Sequence, residues 1–129
     1  MAYDHDGVYL TLSATTGLTK QRFVTVNSAG KAAYPAAGAV TVGVLTDIDQ
    51  GTTGSATDQV ATIQVAGVAK VSAPGSTLAV GDSVAATSVG RAKPSTGQNF
   101  IQGIVVSGSS GSTGRVLSVL LRTQGRASS

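Results

Sequence analysis

The stretch Val60–Val71 constrains the fold more than any other part of the chain. Its odd positions Ala61, Ile63, Val65, Gly67, Ala69 and Val71 are small or apolar, and Thr62, Gln64 and Lys70 lie between them. That period of two is the signature of a half-buried β-strand. Val68, next to Gly67, interrupts the alternation, so the segment reads as one long strand bent at a glycine or as two short strands meeting there.

Composition extends the β reading to the whole chain. Glutamate is absent and lysine scarce, whereas valine, threonine, glycine and serine abound, the reverse of what helices prefer. The expected fold is all-β: a compact single-domain barrel or sandwich of short antiparallel strands, with at most one helical turn near residues 76–80, where Ser76 could cap and Gly81 stop it. Residues 1–7 read as a polar arm, 8–122 as the domain and 123–129 as a tail. The apolar content is mostly alanine and valine, so the core is thin at roughly 25 cal/mol per Å² buried, and neighbouring subunits or a partner are expected to add stability.

Strands are expected at Val8–Leu12, Arg22–Val26, Lys31–Tyr34, Val40–Thr46, Asp82–Ala86, Phe100–Val106 and Arg115–Arg122. Asn27-Ser-Ala-Gly30 and Ser88-Val-Gly-Arg91 supply turns, because asparagine and glycine tolerate positive φ. Residues 47–58, 93–99 and 107–114 read as loops. In the last strand Leu117, Val119 and Leu121 form one apolar face while Val116 and Leu120 make the opposite face apolar too, so both faces need a cover. The Gly-Val steps at Gly43, Gly67 and the related Gly103-Ile104 lie 24 and 36 residues apart with unmatched flanks, which argues against an internal repeat.

Little in the sequence points to catalysis. The lone histidine, His5, sits in the arm, a poor place to hold a general base against a serine. Asp4-His5-Asp6 lacks a second histidine or cysteine to complete a metal site, and adjacent residues of an extended arm point to opposite sides. No glycine-rich loop carries the lysine of a phosphate-binding loop, and Asp47 and Asp49 read as turn residues. The formal charge of +3 comes from dispersed basic residues without a basic run, which argues against direct nucleic-acid binding. Cysteine is absent, and no segment approaches the roughly 18 apolar residues of a membrane span. The expectation is a non-enzymatic protein with no cofactor and no metal, made and kept as a soluble cytoplasmic product.

Several features in order resemble the small capsid cement, or decoration, proteins of tailed bacteriophages: Ser28-Ala-Gly30, Val42-Gly-Val-Leu45, Ile63–Val71, Leu78-Ala-Val-Gly-Asp-Ser-Val84, Gly90, Gly103-Ile104 and Val116–Leu121. The resemblance spans about residues 8–122 and rests on glycine turns and valine strands. It implies a structural virion protein that binds the outer surface of an icosahedral head as a homotrimer at three-fold and quasi-three-fold positions, with the major capsid protein and itself as partners. No contact residue transfers from the family one by one. From the residues alone, the candidate capsid or subunit contacts are Ala2, Tyr3, Asp4, His5 and Tyr9 of the arm and first strand, and Val116 and Leu120 of the last strand. The alternative is a carbohydrate- or receptor-binding β-module of a phage fibre or cell surface, whose mark would be exposed tryptophan or tyrosine platforms; tryptophan is absent.

Overall fold

A computed structural model describes residues 7–15, 17–49, 59–73, 78–97, 99–108 and 115–122. Among them lie nine strands and no helix: β1 (Val8–Ser13), β2 (Arg22–Val26), β3 (Ala32–Ala33), β4 (Gly43–Asp49), β5 (Val60–Ser72), β6 (Ser83–Ala86), β7 (Ala92–Pro94), β8 (Gly103–Ser107) and β9 (Val116–Leu121). All the strand pairs are antiparallel, in the order β3-β2-β4-β5-β9-β8-β6-β7, with β1 also on β5. The sheet is curled, and a bridge from Ala14 to Ala32 brings the end of β1 back to β3. The all-β expectation holds. Of the helical turn expected near residues 76–80, Ser76 and Thr77 lie outside the described residues, and Ala79–Asp82 is a turn in which Asp82 N donates to Ala79 O.

The stretch Val60–Val71 is one strand, not two. Its first half pairs with β1 and β4 and its second half with β9, and the change of partner falls at Gly67, whose φ of 94° only glycine adopts easily. The Gln64 side chain lies inside the bend, where Nε2 donates to Ala66 O and Val68 O, both at 3.0 Å. β4 runs on through Asp49 because Asp47, Ile48 and Asp49 pair with Thr62, Ala61 and Val60, so the two acids continue a strand and do not form a turn. Residues 93 and 94 likewise belong to β7 and not to a loop.

The register also overturns the reading that the chain has no repeat. It is built from two five-stranded units, β1-β2-β3-β4 with the first half of β5, and the second half of β5 with β6-β7-β8-β9. Leu10 faces Ile63 as Ala69 faces Val119; Val24 faces Gly43 as Val84 faces Gly103; Leu45 faces Ile63 as Val105 faces Val119. Both units carry a register shift at the same place, Leu45/Asp47 and Val105/Ser107. Their hairpins match bond for bond: Asn27 N donates to Lys31 O and Gly30 N to Asn27 O, as Thr87 N does to Arg91 O and Gly90 N to Thr87 O. Gly30 and Gly90, like Gly43 and Gly103, lie 60 residues apart. The glycine steps misled because Gly67 marks the junction of the units and has no place in the same series.

Each unit has its own core of corresponding residues. Ala14, Val24, Ala32, Leu45, Ala61 and Ile63 form the first; their counterparts Ala73, Val84, Ala92, Val105, Leu117 and Val119 lie in the second. The second core also takes in Phe23 and Val44 from the first unit. Neighbours along β2 and β4 therefore point into different cores: Phe23 and Val44 into the second, Val24 and Leu45 into the first, all fully buried. Backbone bonds tie the units together at the same place, from Phe23 N to Gly90 O (2.6 Å), Gly38 N to Ala86 O (2.8 Å) and Ser72 N to Gln21 O (2.7 Å).

Candidate interaction surfaces

A polar clamp completes the junction of the units. Gln102 is buried, and its Oε1 accepts from Thr41 Oγ1 at 2.9 Å and from Thr41 N at 3.2 Å, while Nε2 donates to Ala39 O and Phe100 O, both at 3.4 Å. Beside it lies a cavity of about 20 Å³, room for about one water. This clamp is internal, and what the molecule offers to partners lies elsewhere.

Three outer features stand out. The first is β1, an edge strand of uncharged β-formers in which Val8, Tyr9 and Leu10 are 59%, 52% and 39% exposed. Unblunted edges of this kind are surfaces that other chains can pair with. The second is the outer face of the second unit. Val68, Leu120 and Ile104 are directly opposed across β5, β9 and β8, so they form one apolar row. Leu120 and Val116 are each 36% exposed, whereas Leu117 and Val119, on the inner face, are fully buried.

The third is a cleft of about 300 Å³ between Tyr9 of β1, Thr46 of β4 and Val68 and Lys70 of β5, with Gln21 and Gln64 also in its wall. Gln21 has a φ of 66°, the one positive value outside glycine among the described residues. Its counterpart in the second unit is Gly81, at φ 95°, and the two make the same bond, Gln21 N to Leu45 O and Gly81 N to Val105 O. The turn thus calls for glycine, and the first unit supplies glutamine.

Of the residues expected to make contacts, Tyr9, Val116 and Leu120 are on the surface. Tyr9 and Leu120 flank Val68, one across the cleft and the other as its cross-strand neighbour. Ala2, Tyr3, Asp4 and His5 lie outside the described residues. Sequence reasoning missed Gln21 and Lys70 as cleft residues. Lys70 was legible only as a polar position in an alternating strand, and the backbone of Gln21 shows itself only beside Gly81. Among the described residues no three His, Cys, Asp or Glu side chains gather as a metal site would require, and no helix is long and apolar enough to cross a membrane.

No family model matches the chain, and no curated protein does. Among solved structures, the chain is similar to the head fibre gp8.5 N base in bacteriophage phi29, with a TM-score of 0.70 over 95% of this chain and 98% of that one, at 15% identity. At that identity the likeness is one of fold.

Proposed function

We propose that this protein is a structural component of a phage head, bound to the outer surface of the shell and bracing it. The observation that carries the reading is the match of fold over nearly the full length of both chains to a head fibre base. The order of glycine turns and valine strands that resembles the cement proteins supports the same assignment. In this reading the partners are the major capsid protein and further copies of this chain, the assembly is a trimer at three-fold and quasi-three-fold positions, and the role involves no catalysis.

The mechanism is mass action on an assembled lattice. A ligand that binds only the expanded shell stabilises it by RT ln(1 + [L]/Kd), about 2.7 kcal/mol per site at a hundredfold excess over Kd. Apolar side chains already exposed, among them Tyr9, Val8 and Leu120, can gain burial without prior rearrangement. Residues 2–7, which lead into β1, serve in this reading as an arm that engages a neighbour or the shell.

Co-sedimentation with purified empty shells, before and after expansion, tests the reading. Saturable binding to expanded shells in multiples of three copies per three-fold position is expected. A protein left in the supernatant at saturating concentration refutes it, and undiminished occupancy after deletion of residues 2–7 refutes the role of the arm.

A further inference from the structure

The two units pack on each other inside the chain, and each half of that contact recurs, less covered, on the other unit. On the first unit's side the contact consists of Phe23, Val44 and Gln64, at 0%, 0% and 4% exposure. Their counterparts in the second unit are Ser83, Ile104 and Leu120, none of them buried. On the second unit's side Ala69 (2%), Val71 (0%), Leu78 (3%) and Ala86 (0%) share one buried cluster with Phe23 and Val44. The first unit's counterparts are Leu10, Leu12, Leu18 and Val26, of which Leu10 and Val26 are 39% and 37% exposed and the other two half-buried. The comparison is like for like, because both units belong to one chain and have one register.

On the first unit's rim the two exposed side chains are also the larger ones, whereas on the second unit's face Ser83 stands where the covered counterpart is Phe23. Leucine stands at position 10 where the covered counterpart is Ala69, and valine at position 26 where it is Ala86. A thin core whose open rim carries bigger apolar groups than its closed rim is shaped to receive something. The bound partner inside the chain shows what fits: the β2–β4–β5 face of a five-stranded unit.

We infer that copies of this chain join head to tail, the outer face of one copy's second unit (Ser83, Ile104, Leu120) docking on the rim of the next copy's first unit (Leu10, Leu12, Leu18, Val26), as the first unit docks on the second within the chain. The interface is heterologous: two different patches meet, and each copy offers one of each. Repeated from copy to copy, such a contact closes into a ring when the rotation permits, the arrangement that a three-fold cap requires. It joins copies of the free protein, so its test needs no shell and is separate from the shell-binding reading.

The experiment is a complementation of two charge variants, Leu10→Lys and Leu120→Lys, followed by light scattering after gel filtration and by sedimentation velocity. Both positions are more than one-third exposed, so the folds should survive, and circular dichroism melts verify this. Wild type is expected to be oligomeric and each variant monomeric. An equimolar mixture should recover a dimer, because a Leu10→Lys copy keeps an intact second-unit face and a Leu120→Lys copy an intact first-unit rim. A mixture that stays monomeric overturns the head-to-tail contact, since an isologous interface would be damaged in every pairing. Wild type that remains monomeric up to about 0.5 mM overturns it as well, as does an oligomer unaffected by either substitution. Failure of shell binding with these results intact refutes the function proposed above and leaves the contact standing.

Discussion

Gln102→Leu removes a side chain that holds three groups across the junction of the units, Thr41 N, Thr41 Oγ1 and Ala39 O, and a fourth, Phe100 O, within its own unit. Its Oε1 is the acceptor for Thr41 N and Thr41 Oγ1, and Thr41 is itself buried. Leucine has similar size but leaves both donors without a partner, at about 1 to 1.5 kcal/mol net each. Loss of the two longer bonds to Ala39 O and Phe100 O adds about 0.5 kcal/mol. The sum is about 3 kcal/mol. With an unfolding entropy of about 2.1 cal/mol/K per residue, a chain of 129 residues has roughly 0.27 kcal/mol/K in total, so Tm should fall by about 11 °C. Thermal melts at fixed protein concentration measure this, the concentration being held because association moves Tm. Thr41→Val removes one of the two donors, so the double variant should recover about 1 kcal/mol relative to additivity. A fall of less than about 3 °C, or strict additivity of the two substitutions, would refute the claim that the clamp satisfies buried groups.

Gln21→Gly should raise stability by about 1 kcal/mol, because it removes the left-handed cost that the second unit avoids with Gly81; a melt showing no gain would mean that the glutamine side chain offsets it. Phe23→Ala empties the largest fully buried side chain of the junction and should cost about 3–5 kcal/mol, read by urea denaturation. Gly43→Ala places a methyl group against the carbonyl oxygen of Gln64 and at 2.9 Å from Ile63 Cγ2. Since the obstacle is backbone, a loss of more than about 2 kcal/mol is expected in the same assay, and a near-neutral result would show that β4 and β5 can separate locally.

The class of fold was legible in the chain itself. Alternation over Val60–Val71, β-branched residues throughout and glycine turns after Asn27 and Thr87 are local signals, and a strand's side-chain period of two is a property of the strand alone. So was the two-sided apolar character of β9, which placed Val116 and Leu120 among the surface candidates. The pairing was not. Backbone hydrogen bonds carry no residue identity, so nothing in the letters shows that Leu10 faces Ile63 as Ala69 faces Val119. The repeat is clearest in the register; in the sequence it leaves a trace at an offset of 60, Val24/Val84, Ser28/Ser88, Gly30/Gly90, Ala32/Ala92 and Gly43/Gly103, which the glycine steps counted through Gly67 hide, while Ser83 is the counterpart of Phe23 and Leu120 that of Gln64.

The tertiary structure alone decided which apolar faces are covered. Phe23 and Leu120 are both apolar and both sit on the outer face of a five-stranded unit, and local pattern treats them alike. One is buried because the second unit packs on it; the other is 36% exposed, with no such cover among the described residues. Burial depends on what arrives from elsewhere in the chain, and the strand Val60–Ser72, bent at Gly67 to serve both units, is the element that brings it there.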